Sequence, residues 1–287
     1  AAHETNVLPR DRPGDVYQSV CDKTIEKLRV STNPYAAIWL PFGITRGTTK
    51  RQTMTLCYGS TFFSCRTYTA EWFYNELRDK HRENPFGTET YKPCNFLAEL
   101  IWDSIGEVVG SARQGMDWLR EVAGICLDND TNLRWVTPNG FPVSINYRKK
   151  NKSIVKTVVN GAIRQHRVLE DGEGYDRRKT INAFPPNLVH SLDGLGGLLG
   201  KTIELGQAEG IEDYTAVHDS YGVHAKYAGL LGGCVREATK ITFETDILNN
   251  LRDSMSHFLP TCVSLPPVPP KGNLRLDEVS DSEYYFS

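Results

Sequence analysis

The chain has 287 residues, 39% hydrophobic and 24% charged, with 33 Lys and Arg against 35 Asp and Glu for a formal charge of −2. That apolar fraction suffices for a packed core, and the length predicts about two domains or one with a large insertion. No run approaches the ~18 apolar residues of a membrane helix and no signal-peptide pattern is visible, which excludes integral membrane and fibrous classes.

Along the chain, Asp15 to Arg29 reads as a helix, with Val16, Val20, Ile25 and Leu28 on roughly one face. An apolar stretch, Ala36 to Leu40, is closed by Pro41 and Gly43. A second helix is expected from Thr45 or Gly47 to about Tyr58, stopped by Gly59. Asn95 to Cys126 keeps helical spacing as one long helix or a broken pair, with Gly106, Gly110 and Gly115 permitting breaks. Trp135 to Val143 carries the turn Thr137-Pro138-Asn139-Gly140 between short strands. Ser153–Val159 and Ala162–Leu169 flank Asn160-Gly161 and read as a basic hairpin. Pro185-Pro186-Asn187 is expected to precede a helix from Leu188 to Gly210. Tyr214–Val217 and Tyr221–His224 read as paired strands, and a helix from Leu230 to Phe258 precedes a proline-rich, then acidic, tail. Helices mixed with hairpins point to an α+β fold.

Charge is unevenly distributed. No carboxylate occurs in the 44 residues between Glu26 and Glu71, and Asn146 to Lys179 holds ten Lys and Arg against four Asp and Glu. One such cluster is ordinarily a solvated face; two favour a polyanionic partner. The seven cysteines, Cys21, Cys57, Cys65, Cys94, Cys126, Cys234 and Cys262, contain no Cys-x-x-Cys pair. Reduced thiols in an intracellular protein are therefore expected rather than zinc or disulfides.

Arg46, Lys50, Met54 and Tyr58 are spaced four apart. On one helix they would form a slowly winding stripe about 18 Å long. A nucleoside triphosphate laid along it would place phosphates at Arg46 and Lys50 and its sugar or base near Tyr58. Taken alone, the spacing favours an ordinary amphipathic helix with a solvated basic face. Asp219, between apolar strands in Val217-His218-Asp219-Ser220-Tyr221, suits a metal-binding carboxylate on rigid supports, although one Asp makes a poor Mg²⁺ site. His190 has Asp193 at i+3, which can orient its ring. A hydrolase triad from Ser191, His218 and Asp219 has little support, because no Gly-x-Ser-x-Gly elbow occurs.

Several of these segments resemble those of one family. Thr45 to Ser60 resembles motif B of the single-subunit, bacteriophage-type (phage/mitochondrial) DNA-directed RNA polymerases, in a Thr-Lys-Arg form closer to the phage enzymes. His218-Asp219-Ser220 resembles their motif C, and Pro186 to Gly194 their histidine segment. Trp135 to Val143 resembles the strand leading into the promoter specificity hairpin. Pro270 to Leu274 and the aromatic end Tyr284-Tyr285-Phe286-Ser287 resemble the family's C-terminus.

The resemblance implies a right-hand polymerase fold, with fingers over residues 1–190, the specificity hairpin at about 147–169, and the C-terminal part of the palm over 191–287 with the motif C hairpin and tail. It assigns Arg46 and Lys50 to the incoming ribonucleoside triphosphate, Lys50 also as proton donor to pyrophosphate. Tyr58 takes the sugar-sensing position, His190 the ribose side, and Asp219 the catalytic Mg²⁺. Lys149, Lys150 and Lys152 suit DNA phosphates, and Arg164, Gln165 and Arg167 suit base edges. Partners are then a DNA template and promoter, ribonucleoside triphosphates and nascent RNA, in the host cytoplasm if the chain is phage-encoded, with no membrane.

One element of the family pattern is not found. Motif A, an Asp-Gly-Ser segment bearing the second metal-binding aspartate, has no match, and Asn6-Val7-Leu8-Pro9 resembles the stretch just downstream of that motif. The chain is therefore expected to be the C-terminal portion of a longer polymerase, inactive without the N-terminal portion. The alternatives are a related palm-family DNA polymerase, which would resemble His-Asp-Glu where Ser220 follows Asp219, and a non-catalytic nucleic-acid-binding fragment or split subunit.

Overall fold

A computed structural model describes residue 2, residues 4–217 and residues 219–285. His218 of the motif C segment and Phe286 of the aromatic end lie outside the described residues.

The first helix, α1, spans Val16–Val30. Asp15 caps it by accepting from the Tyr17 and Gln18 N–H groups, which satisfies donors that have no partner inside the helix. Helix α2, Pro34–Phe42, starts on a proline behind the Asn33 cap, where a missing N–H costs nothing. Helix α3 is Arg46–Met54, α4 is Phe62–Asp79, α5 is Tyr91–Val108 and α6 is Gly110–Asp128. Helix α4 is not among the elements expected from sequence.

Helices α1 to α5 enclose a first core. Trp39 is fully buried, with ring centroids 5.5 Å from Phe42, 5.1 Å from Phe73 and 4.8 Å from Phe86. Its indole N–H donates to the Pro93 carbonyl at 3.0 Å, so burial leaves no orphaned donor.

Strands β1, Arg134–Val136, and β2, Pro142–Ser144, pair around the expected turn. Strands β3, Arg148–Val159, and β4, Ala162–Tyr175, form the basic hairpin. It turns at Asn160-Gly161, both with positive φ, as a two-residue hairpin requires. The ribbon runs six residues past Leu169, the end expected from the sequence. Helix α7 is Arg177–Asp193 and α8 is Leu198–Ala208. Strands β5, Thr215–Val217, and β6, Ser220–Gly222, pair antiparallel. Helices α9, Ala228–Glu244, and α10, Ile247–Ser256, follow, and Leu276–Asp281 forms a 3-10 turn in the tail. Among the described residues, the three sheets are each two-stranded. The chain is thus a mixed helix and hairpin fold, as expected.

A second core joins α6, β1, α7 and α10 through Trp118, Leu119, Val122, Trp135, Phe184, Leu188, Leu251 and Met255. The tail packs on α9, where Arg236 donates to the Ser282 carbonyl at 2.8 Å and Thr239 pairs with the Tyr285 hydroxyl at 2.6 Å.

Three expectations are corrected. The helix expected to reach Tyr58 ends at Met54: the Thr55 N–H still donates to the Arg51 carbonyl at 3.1 Å, but beyond it the N–H groups of Leu56, Tyr58 and Gly59 donate to carbonyls three residues back. Bonds of that 3-10 type tighten the chain into successive turns in place of the α-helical ladder. The helix expected to start after Pro186 instead runs through Pro185 and Pro186 and stops at Asp193, where the glycines at 194, 196 and 197 separate it from α8. The long final helix is two, broken at Thr245 and restarted by the Asp246 cap. Of the options for Asn95–Cys126, the broken pair is the one found, hinged at Val109.

Candidate active site

Tyr58 leaves the helical stripe and reaches across to α7. Its ring stacks on His190 with centroids 4.8 Å apart and planes 13° from parallel. Gly59, at φ +80°, makes this approach possible. A Cβ there would lie 3.2 Å from Pro186 Cδ and 3.3 Å from the Asn182 carbonyl. Pro186 has no N–H to offer that carbonyl four residues back, so α7 has a locally bare surface against which a glycine fits. The Gly59–Pro186 contact and the Tyr58–His190 stack lie one helical turn apart on α7.

Tyr58 and His190 line a cleft together with Tyr17, Met54, Asp193 and Asp219. Its cavity volume of about 710 Å³ lies in the range of small-ligand sites. The β5–β6 turn presents Asp219, which is exposed. Burial raises the Asp193 carboxyl above the ordinary carboxylate range; His190 opposes this and the Asp219 charge adds to it. Burial likewise raises the Tyr58 phenol, helped by Asp193 and Asp219. Tyr221 on β6 is pushed up to about 12 by burial, then by Asp193, Tyr285 and Asp219. The two aspartates thus place several groups in one negative field.

Arg46 and Lys50 stand beside the cleft rather than in its wall. Both are exposed on α3. The Arg46 guanidinium lies 5.0 Å and the Lys50 ammonium 6.0 Å from the centre of the Tyr17 ring, and Tyr17 does line the cleft. The basic helix face, the stacked pair and the aspartates therefore adjoin one opening. Sequence reasoning misses Tyr17, Asp15 and Asp193 as members of this region. Asp193 is legible only as a neighbour of His190, and nothing local links α1 to α3.

The hairpin candidates form a separate group. Thr157 pairs with Arg164, Lys156 with Gln165 and Ile154 with Arg167. Because side chains alternate, Gln165 and Arg167 share one face and Arg164 takes the other, so the three do not act from one surface. Lys149 and Lys152 are exposed on β3, and Lys150, also exposed, forms a surface ion pair across the ribbon with Asp171. The hydrolase alternative also fails. The Ser191 hydroxyl donates to the Leu188 carbonyl at 2.7 Å and accepts from the Trp135 indole at 2.9 Å, a structural role.

For Mg²⁺, Asp219 offers the oxygen donors a hard cation prefers. Among the described residues, no group of three or more His, Cys, Asp or Glu is gathered to hold a metal. Asp219 thus fits as one protein ligand of an ion completed by other oxygens. All seven cysteines are free, and no helix among the described residues is long and apolar enough to cross a membrane.

The family model for DNA-dependent RNA polymerase matches residues 1–264. The chain belongs to that family. It is 32% identical to the DNA-directed RNA polymerase of Enterobacteria phage T3 over 280 residues, 91% of this chain and 31% of the relative. It is equally 32% identical to T7 RNA polymerase of Escherichia phage T7 over 281 residues, again 91% and 31%. The mitochondrial DNA-directed RNA polymerase 1 of Nicotiana sylvestris is 28% identical over 297 residues, covering all of this chain and 28% of the relative. The chain thus spans under a third of the length of these phage-type polymerases. The family resemblance read from the motif segments is borne out.

Proposed function

We propose that these residues are the C-terminal catalytic portion of a DNA-directed RNA polymerase, with fingers over 1–190 and the motif C side of the palm over 191–287. The observation that carries this reading is the Tyr58–His190 stack in a cleft that Asp219 also lines. Residues 132 positions apart in sequence are brought together as a nucleotide site requires.

In this reading Arg46 and Lys50 bind the triphosphate of an incoming ribonucleotide, the guanidinium by paired hydrogen bonds and the ammonium as a point charge. Lys50 also gives a proton to the departing pyrophosphate. Tyr58 meets the sugar through its hydroxyl while its ring stays packed on His190. Asp219 would hold Mg²⁺, which when bound stabilises charge on the attacking and leaving oxygens. A second carboxylate in a motif A context is not among these 287 residues, so the chain alone does not synthesise RNA. The β3–β4 ribbon meets promoter DNA, for which a two-stranded ribbon fits the major groove.

The test joins the chain to a family segment carrying motif A and measures RNA synthesis on a DNA template. The joined enzyme is expected to work and Asp219→Ala to abolish its activity. Synthesis by the isolated chain, or activity indifferent to Asp219→Ala, overturns the reading.

A further inference from the structure

Arg46 already holds an anion, and the protein supplies it. Its Nε donates to Asp15 Oδ2, while Asp15 Oδ1 accepts from the N–H groups of Tyr17 at 3.0 Å and Gln18 at 3.1 Å. One carboxylate oxygen therefore caps α1 and the other binds the arginine. The guanidinium lies over the Tyr17 ring, two residues along the same helix. Burial acts to raise the Asp15 carboxyl, but Arg46 and the cap outweigh it and hold the group below its ordinary range. The pair is open to solvent, with side-chain exposures of 44% for Arg46 and 35% for Asp15. It can therefore be exchanged without unfolding anything.

We infer that Asp15 is a stand-in for the substrate's phosphates: between substrates it parks Arg46 against Tyr17, and a polyphosphate displaces it. This rests on the proposed role of Arg46 in triphosphate binding. Asp15 is then a positioning residue acting through Arg46. It weakens polyphosphate binding modestly, because one ion pair must break as another forms. A ligand with several negative charges competes well for the guanidinium, whereas one with a single charge does not.

The experiment titrates inorganic tripolyphosphate into the 287-residue chain by calorimetry, at low and high salt. Asp15→Asn removes the charge and keeps an oxygen that caps the helix; Asp15→Ser is a second uncharged cap, and circular dichroism checks that α1 persists. Both variants are expected to bind about two- to fivefold tighter at low salt, the scale of an exposed ion pair, and the gain should shrink at high salt. Arg46→Ala is expected to weaken binding, and adding Asp15→Asn to it should restore nothing. If Arg46→Ala weakens binding but both Asp15 variants leave it unchanged or weaker, the stand-in is wrong and the role of Arg46 survives. If Arg46→Ala has no effect, or no form binds, the role of Arg46 falls and this inference falls with it.

Discussion

The Tyr58 ring lies parallel to the His190 imidazole, with 4.8 Å between centroids. Such offset contacts are worth about 0.5–1.5 kcal/mol beyond area burial, and here the contact holds Tyr58 in the cleft wall. Removing only the hydroxyl should leave the stack in place. Tyr58→Phe, in an enzyme completed with a motif A segment, is expected to retain most ribonucleotide incorporation and to accept deoxyribonucleotides far more readily. Steady-state incorporation of matched ribo- and deoxynucleotides measures this, and an unchanged ratio removes Tyr58 from sugar selection.

Gly59→Ala tests how that stack is held. The added methyl must sit at positive φ and press on Pro186 and the Asn182 carbonyl. A left-handed non-glycine residue costs roughly 1–2 kcal/mol, so the urea midpoint should fall accordingly. Incorporation should fall further than stability explains, because Tyr58 moves with its neighbour. Wild-type incorporation at reduced stability would show that the close approach serves packing alone.

Asp193 gives a pH dependence with a definite sign. Its carboxyl titrates above the ordinary value of 3.8 in the folded protein, through burial first. Below that ordinary value it is protonated folded or unfolded and contributes nothing. As pH rises through the raised folded value, a charge is forced into the cleft and native stability falls. Asp193→Asn should therefore be more stable than the parent at pH 7, with the advantage vanishing toward pH 4. Urea unfolding across that range decides it: an advantage independent of pH would trace to something other than ionisation.

On the ribbon, the two faces should separate in function. Arg164 stands on one face and Gln165 and Arg167 on the other. Alanine substitutions on the base-reading face should alter promoter preference by about 1–3 kcal/mol for each bidentate hydrogen-bond pair to a base edge that they remove. Those on the opposite face should leave the ranking of promoters unchanged. Lys149→Ala should weaken all sequences alike and reduce the salt slope by about one phosphate contact. Transcription from a panel of promoter variants by an enzyme completed with a motif A segment tests all three, and equal effects from both faces would count against groove reading.

What could be read ahead of the structure was what local chemistry controls. Asp15 announces α1, Asn160-Gly161 announces the ribbon, and Thr137 to Gly140 announces the smaller hairpin. Gly110 marks the break between α5 and α6, whereas the break at Thr245 inside the final apolar-periodic run rests on a backbone turn that the residue type does not demand. The Thr45–Tyr58 stripe stops short of Tyr58 because the N–H groups of Leu56, Tyr58 and Gly59 bond three residues back rather than four, a tightening that four-residue spacing does not announce. Pro185 and Pro186 misled in the opposite direction, since tertiary packing around the fully buried Phe184 carries α7 past them. In the site, the motif residues were legible and their partners were not: Tyr17 meets Arg46 and Lys50, and Asp193 meets Tyr58, only once the chain has folded back on itself.

The β3–β4 ribbon pairs with no other strand among the described residues, and its side chains are almost all exposed. Neither buried core draws on it. Exposed substitutions of this kind usually change stability by no more than about 0.5 kcal/mol, so this segment can vary widely while the fold stays intact. Natural selection can thus rewrite residues 148–175 as a cassette, and a laboratory can graft them between relatives, without renegotiating the packing that aligns Tyr58, His190 and Asp219.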